Sequence, residues 1–548
     1  MSKKYLIIGG VAGGMSAATR LRRLQEDAEI IVFEKGPYVS FANCGLPYYI
    51  GGEIDQREKL IVQHSEALKK RFNLDIRENS EVIEIRPNSH EILVSTDKKV
   101  YTEKYDQLIL STGAKPVIPK IEGLKEAENA FTLRNIPDAD QITAYLNTHK
   151  VKSAVILGAG FIGIEMAENL EKRGIKVTII ERSNHILPTL DPEMAIDVQT
   201  ELENNGLTLV LGHSVVNVSK DRVYLDDKSE ISSDLILLST GIQPETPLAK
   251  RAGVALGLHD AILVDENYET SIQDIFAVGD AIVVNNQISN QDSLISLASP
   301  ANRQGRQVAD VLSGLPLKNK GSIGTAIVRA FNSVAASTGL SEKTVQNLGL
   351  HHKVIHITAN DHAGYYPNHH AMLLKLIFNP ETGEIFGAQA VGKSGVDKRI
   401  DVLSTAIKAG LTIFDLPELE LSYAPPFGSA KDPVNMIGYA AMNLSMGLSD
   451  NLQWHELAQE IANKKQILDV RNPSEIKKGA FKNAINIPLD ELRQRLHELD
   501  QNQAYIVSCQ SGLRSYQAER ILKAAGFIVQ NLDGAYGLYS KMSTELLA

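Results

Sequence analysis

Apolar and polar positions along this chain fall into blocks that switch between two periods. Tyr5-Leu6-Ile7-Ile8 is a short apolar run with lysines before it and glycines after it, which predicts a buried strand. Gly9-Gly10-Val11-Ala12-Gly13-Gly14 follows, then a helical pattern through Leu24, then a second run, Ile30-Ile31-Val32-Phe33, ending in Glu34. The same order returns at Ser153-Ala154-Val155-Ile156-Leu157. It continues through Gly158-Ala159-Gly160-Phe161-Ile162-Gly163, a helix to about Lys172, and Val177-Thr178-Ile179-Ile180 ending in Glu181. Strand, glycine turn, helix, strand is the opening of a βαβ unit. Its repetition predicts an α/β fold with parallel sheets covered by helices on both faces. Residues 326–446 read as a mixed α+β unit with no phosphate loop. Leu444 to Leu452 is short, polar and contains glycine, which predicts a linker. A further α/β unit begins at Trp454 and runs to the C-terminus.

The glycine turns carry chemistry. Gly158-x-Gly160-x-x-Gly163 lies between a strand and a helix, the context in which this motif binds a dinucleotide. The glycines permit a tight turn and close backbone approach to a pyrophosphate at the helix N-terminus. Glu181 closes the second strand, where an acid bonds ribose hydroxyls and repels a 2′-phosphate, so NADH is favoured over NADPH. Arg182, the next residue, weakens that preference. The first turn departs from the pattern, with Val11 at the middle glycine, but Glu34 keeps the acid.

Composition narrows the picture. A chain of 548 residues with 43% hydrophobic positions predicts several domains, each with its own core. The net charge of −10 argues against nucleic acid or an anionic membrane as the main partner. No signal peptide and no apolar run of membrane-spanning length is read, and a cytoplasmic setting is expected. The chain has two cysteines, Cys44 and Cys509, so a disulfide framework is excluded. Thiol chemistry would run through single sulfurs.

Thr270-Ser271-Ile272-Gln273-Asp274-Ile275-Phe276-Ala277-Val278-Gly279-Asp280 resembles the flavin-binding segment of flavoproteins with two dinucleotide-binding domains. Ser111-Thr112-Gly113-Ala114 and Ser239-Thr240-Gly241-Ile242 fit the same group. The chain thus resembles the pyridine nucleotide-disulfide oxidoreductase family. The resemblance implies two Rossmann-like domains, with FAD bound at 1–134 and 255–325 and NAD(P)H at 135–254. A dimerisation domain at 326–446, a linker at 447–454 and a last domain at 455–548 complete the division. The implied FAD residues are Gly9, Val11, Ala12, Gly13, Gly14, Glu34, Lys35, Asn43, Thr112, Gly113, Arg134, Asp280 and Ala298. Those for NAD(P)H are Gly158, Gly160, Ile162, Gly163, Glu181 and Gly241. No metal is implied.

Cys44 lies in Ser40-Phe41-Ala42-Asn43-Cys44-Gly45-Leu46-Pro47, and position 49, where most of that family has a second cysteine, is Tyr. The loop is similar to the single-cysteine branch, which holds coenzyme A-disulfide reductases, persulfide reductases, NADH oxidases and NADH peroxidases. Oxidases and peroxidases carry a His in the stretch that is Val11-Ala12-Gly13 here, whereas Gly-Gly-Val-Ala-Gly-Gly resembles coenzyme A-disulfide reductase. The likeness implies that Cys44 attacks a sulfur–sulfur bond beside the flavin, at a site expected to depress its pKa. It also implies a homodimer in which Tyr365 and Tyr423 reach the partner's cysteine. Phe427 stands where many relatives have Tyr. Ser16, Arg20 and Arg23 fall on one helical face, with Arg22 off it. Together with Ser40, Asn43, Asn302, Lys431 and Arg71, they match positions that hold coenzyme A. A solvated basic face is the alternative reading.

The C-terminal unit carries Leu468-Asp469-Val470-Arg471, Ala484-Ile485-Asn486-Ile487-Pro488, Cys509-Gln510-Ser511-Gly512-Leu513-Arg514-Ser515 and Leu532-Asp533-Gly534-Ala535. It resembles a rhodanese domain. In that reading Cys509 accepts sulfane sulfur within a nest of backbone N–H groups, with Arg514 adding charge. A phosphatase loop is less fitting, because the ring from Cys509 to Arg514 is one residue short for phosphate. The function implied is an FAD-dependent NAD(P)H reductase of persulfides or polysulfides, coenzyme A persulfide foremost, fused to a sulfurtransferase. Coenzyme A-disulfide reductase and NADH oxidase are the enzymatic alternatives, and a redox-sensing binding module is the non-enzymatic one.

Overall fold

Strand Lys4–Ile8 is buried on both faces and pairs in parallel with Glu29–Phe33 on one side and Gln107–Leu110 on the other. That is why its side chains form an unbroken apolar run instead of an alternating one. The computed structural model describes residues 3–548. The chain divides into two units, one built from residues up to 184 together with 206–322, the other from 185–205 together with 323–548.

The first unit contains two five-stranded parallel sheets. One runs Ile275–Ala277, Gln107–Leu110, Lys4–Ile8, Glu29–Phe33, Asp75–Arg77. The other runs Thr208–Leu211, Lys176–Glu181, Ser153–Leu157, Leu235–Leu238, Ala130–Thr132. The predicted helices are Ala12–Leu24 and Phe161–Glu171. Each glycine turn thus emerges at the carboxyl end of a central parallel strand, where doubly wound sheets bind ligands. Helix Ala12–Leu24 packs against Ala298–Leu312 so closely that a Cβ on Gly305 would lie 2.0 Å from the Gly13 carbonyl oxygen.

The second unit holds two sheets. The 326–446 region forms a five-stranded antiparallel sheet in the order Thr325–Ala330, Ser333–Gly339, Ile385–Gly392, Ala371–Phe378, Lys353–Asn360, so the last strand is an edge. Helices Val396–Ala409 and Pro433–Ser445 bury apolar residues with it, including Leu374, Leu376, Leu403 and Ile437. The C-terminal region is a five-stranded parallel sheet in the order Asn451–Leu452, Val529–Leu532, Tyr505–Ser508, Gln466–Asp469, Ile485–Asn486. Its edge strand, Asn451–Leu452, falls within the stretch read from sequence as a linker. That stretch is tied down: Ser449 Oγ donates to Glu519, and the Asp450 N–H donates to Glu519 Oε1 at 2.7 Å. Among the described residues no helix is long and apolar enough to cross a membrane.

Candidate active sites

The two glycine turns are built alike. Gly9 and Gly158 adopt φ of 102° and 101°, and a Cβ on either would sit 2.1 or 2.5 Å from the carbonyl oxygen of Ser111 or Ser239. Only glycine fits there. Gly14 and Gly163 are equally confined, with a Cβ 1.9 and 2.1 Å from the carbonyls of Gly9 and Gly158. Gly160 differs, since a Cβ there would meet nothing within 4 Å and would project into open space. Glu34 accepts the N–H groups of Gly10 and Gly36, each at 2.9 Å. Glu181 does the same for Ala159 and Ser183, again at 2.9 Å. Burial raises the Glu34 pKa, and the two N–H bonds oppose this. Helices Ala12–Leu24 and Phe161–Glu171 begin without a side-chain cap. Uncapped N–H groups, a glycine turn and a terminal carboxylate form the donor and acceptor set of a dinucleotide, so both sites fit one.

Around the first site, Arg134 bridges Asp280 at 3.0 Å, and the Asn43 side chain donates to the Arg134 carbonyl at 3.2 Å. Gly113 has φ 69°, and its Cβ position lies 3.3 Å from the Arg134 guanidinium. The Thr112 hydroxyl is engaged elsewhere, donating to the Glu245 carbonyl at 2.6 Å. Val11 and Ala12 start the helix, Lys35 is exposed, and Ala298 is exposed at the first position of Ala298–Leu312. In the second site Ile162 and Gly241 are exposed.

Cys44 sits in a short turn, Asn43–Gly45, that leads into helix Leu46–Gly51. The turn brings it near Glu165, Arg134 and Asp280. Cys44 is exposed, yet the protein atoms around its sulfur desolvate it and push the thiol pKa up; Glu165 and Asp280 push it further, and Arg134 opposes them. The side chains around Cys44 therefore disfavour the thiolate, contrary to the sequence expectation. Tyr48 Oη donates to Glu165 Oε1 at 3.0 Å. Neither residue was singled out from sequence. The available signals were Tyr48 at i+4 from Cys44 and an acid, Glu165, between the apolar stretches Phe161-Ile162-Gly163-Ile164 and Met166-Ala167.

Of the positions assigned to coenzyme A, Ser16 Oγ donates to Asn302 Oδ1 at 2.6 Å. Arg20 is paired with the buried Asp310 at 2.6 Å, so its charge is largely countered. Arg23 is exposed, whereas Arg22 is buried and donates to the carbonyls of Phe72 and Asn73, both at 2.9 Å. Ser40 adopts φ 49° and donates its N–H to the Gly10 carbonyl at 3.0 Å, which sets it against the first glycine turn. Arg71 stands exposed in the last turn of helix Ser65–Phe72. Lys431 is exposed in the second unit. There too, the Tyr365 and Tyr423 hydroxyls lie 2.9 Å apart, with Tyr365 76% and Phe427 71% exposed.

Cys509 directly follows strand Tyr505–Ser508 and is 1% exposed. The Gly512 N–H donates to its sulfur at 3.1 Å, the start of the expected nest. Tyr536 and Gly537 N–H groups hold the Cys509 and Gln510 carbonyls at 3.0 and 2.9 Å. Arg514 makes two bonds of 2.7 Å to Glu475, which lowers the Glu475 pKa to about 2. Glu475 is the main partner of Arg514, and Cys509 also acts on the guanidinium, so its charge is shared between the carboxylate and the sulfur. The buried arginine beside the loop is Arg471, which is held by Asp469, donates to Gln510 Oε1 at 3.4 Å and lies 3.8 Å from the Tyr536 ring centroid. Its motif was visible in the sequence, but its place at the loop was not.

Comparison with known proteins matches residues 3–305 to the pyridine nucleotide-disulphide oxidoreductase family, 326–433 to that family's dimerisation domain and 453–541 to the rhodanese-like domain. This chain belongs to the pyridine nucleotide-disulphide oxidoreductases. As an oxidoreductase of that family it is 35% identical to a coenzyme A disulfide reductase of Staphylococcus haemolyticus, over 81% of this chain and 100% of the relative. The crystal structure of reduced Bacillus anthracis CoADR-RHD matches it with a TM-score of 0.99 and 49% identity, covering 100% of this chain and 99% of that one. A NAD-dependent persulfide reductase from A. fulgidus matches with a TM-score of 0.93 and 37% identity, covering 98% and 100%. The oxidoreductase thus joins both dinucleotide domains, a dimerisation domain and a rhodanese-like domain in one chain.

Proposed function

We propose that this protein reduces persulfides with NADH, using Cys509 to carry sulfane sulfur and Cys44 to open the sulfur–sulfur bond. One observation carries the reading: a Cys44 loop with no second cysteine and a rhodanese-type Cys509 loop occur on the same chain. A plain disulfide reductase has no use for a sulfur carrier. The likeness to the A. fulgidus persulfide reductase, which extends over both parts, supports it.

The Cys44 thiolate attacks the outer sulfur of R–S–SH, the S–S bond breaks, and the thiol RSH leaves. Cys44 then holds the sulfur as a persulfide, and two electrons return the Cys44 thiolate and release sulfide. The balance is RSSH + NADH + H⁺ → RSH + H₂S + NAD⁺. Bound FAD supplies the two-electron relay from NADH to the sulfur. Glu34 and Arg134 with Asp280 would hold FAD, and Glu181 would hold NADH and exclude a 2′-phosphate. In a homodimer, the phenols of the partner subunit's Tyr365 and the partner subunit's Tyr423 would protonate the leaving thiolate. Ser16, Asn302 and Arg23 favour coenzyme A as R.

The test is NADH oxidation with coenzyme A persulfide. Cys44→Ser abolishes turnover, whereas full turnover in that variant defeats the mechanism. A second reading, reduction of coenzyme A disulfide, is favoured by the Staphylococcus relative, whose whole length is matched by 81% of this chain. The ratio of kcat/KM for persulfide and disulfide decides between them.

A further inference from the structure

A row of polar side chains crosses the antiparallel sheet of the second unit. His356 is opposite Lys375, Lys375 is opposite Gln389, and Gln389 is opposite Ser337. Directly opposed residues share a face, and two opposed cations repel. His356, Lys375 and Gln389 are buried. Four carboxylates resolve the conflict. Lys375 Nζ lies 2.8 Å from Asp191 and 2.6 Å from Glu342, and it also pairs with Glu193. The ammonium fills the centre of these three acids. His356 Nε2 is 3.3 Å from Glu193, and its Nδ1 is 2.7 Å from Asp533.

Asp533 belongs to the rhodanese-like domain. It also accepts the His356 backbone N–H at 3.1 Å and the Gln453 side chain at 3.0 Å, so both its oxygens are held from outside its own turn. The next residues, Gly534 and Ala535, both adopt left-handed φ, of 66° and 55°. They turn the chain into helix Ala535–Met542. The first N–H groups of that helix are the ones that hold the Cys509 and Gln510 carbonyls. The approach is close: a Cβ on Gly537 would lie 2.5 Å from the Gln510 oxygen. A continuous chain of bonds therefore runs from a histidine on the dimerisation sheet to the backbone of the sulfur-binding loop.

We propose that His356 is a positioning residue for Cys509: paired with Asp533, it fixes the turn that clamps the reactive loop, so sulfur transfer at Cys509 depends on a side chain outside the rhodanese-like domain. The proposal rests on the carrier reading of Cys509. Protonated His356 faces Asp533 from the turn, Glu193 from helix Pro192–Asn204, and Lys375 from the neighbouring strand, with Asp191 and Glu342 beyond Lys375. Burial opposes its charge, but Asp533 and then Glu193 outweigh burial and raise its pKa to about 9. The neutral imidazole keeps only one N–H to share between two carboxylates. Alkaline pH thus loosens the clamp.

The experiment uses the full-length FAD-loaded enzyme in the Cys44→Ser background, so that Cys509 is the remaining thiol. Two readings are taken from pH 6.5 to 10: iodoacetamide alkylation of Cys509, and sulfur transfer from thiosulfate to cyanide. His356→Ala lowers transfer kcat at pH 7.5 by about tenfold and alters the pH profile of alkylation. His356→Gln, which keeps one donor toward Asp533 and cannot titrate, recovers most of the kcat and lacks a transition near pH 9 that wild type shows. Wild-type alkylation and transfer profiles in both variants overturn the proposal. If Cys509→Ser transfers sulfur as well as Cys509 does, the carrier reading fails instead, while the alkylation profiles still report on the clamp.

Discussion

Tyr48 donates its phenolic proton to Glu165 at 3.0 Å, one helical turn beyond Cys44. The bond fixes a negative charge near the reactive thiol, and that charge is, after desolvation, the main cause of the raised Cys44 pKa. Glu165→Gln keeps an acceptor for Tyr48 and removes the charge. The Cys44 pKa then falls, and iodoacetamide alkylation at pH 7 in a Cys509→Ser background speeds up severalfold. An unchanged alkylation rate contradicts this account.

Gly160 and Gly163 respond differently to the same substitution. Gly160→Ala adds a methyl group into open space, so the protein folds normally and keeps its flavin. NADH binding weakens, because the methyl occupies the approach of the pyrophosphate, and KM for NADH rises about tenfold, which is ~1.4 kcal/mol. Gly163→Ala drives a Cβ to 2.1 Å from the Gly158 carbonyl and lowers soluble yield and Tm. NADH titration and differential scanning fluorimetry separate the two effects.

Glu475 and Arg514 lie at the mouth of the Cys509 loop, and both are partly exposed, so their ion pair contributes little stability, about 1 kcal/mol or less. Its effect is on charge. Glu475→Gln leaves Arg514 uncompensated and lowers KM for the dianion thiosulfate several-fold, while Tm moves by only a degree or two. Sulfur-transfer kinetics check the first outcome and fluorimetry the second. A rise in KM for thiosulfate runs against it.

The His356 pKa lies above its unfolded value of about 6.5, so its charge stabilises the fold fully below pH 6.5 and this contribution is lost as pH rises through about 9. The size is of order 3 kcal/mol for a shift of this extent. Tm of wild type is therefore expected to fall between pH 6.5 and 9.5, and His356→Gln flattens that slope. Lys375→Met is the severe change: it leaves the buried Asp191 and the partly buried Glu342 without their cation and Glu193 with His356 alone, and costs about 3–5 kcal/mol.

The glycine turns and their terminal acids were legible because each rests on neighbours in sequence. Gly9, Gly14 and Glu34 act within one βαβ unit, as do Gly158, Gly163 and Glu181. The two thiols were legible for the same reason, since each sits in a local loop. What surrounds them was not. Glu475 meets Arg514 from 39 residues upstream, and Tyr48 meets Glu165 across 117. Their pairing is set by sheet order, which no local pattern displays. His356 and Lys375 were hidden in another way. A charged residue inside a strand normally marks a solvent-facing position, yet here four distant carboxylates make burial tolerable. The antiparallel strand Ala371–Phe378 is buried along nearly its whole length, so it shows no alternation from which to read a face.

Strand Lys353–Asn360 is the outermost of its sheet, and its free side is not bare. Asn451 and Gln453 donate to the Val354 carbonyl at 2.9 and 3.3 Å, and Asp533 receives the His356 N–H. An open strand edge invites pairing with another chain. The rhodanese-like domain is therefore also a guard against misassembly, not a cassette hung on a finished enzyme. Cutting the chain after helix Pro433–Ser445 would uncover that edge and leave His356 without Asp533. A reductase core of this lineage that lacks the extra domain must solve both problems by other residues, so gain or loss of the domain by gene fusion carries a cost in the sequence of the sheet it rests on.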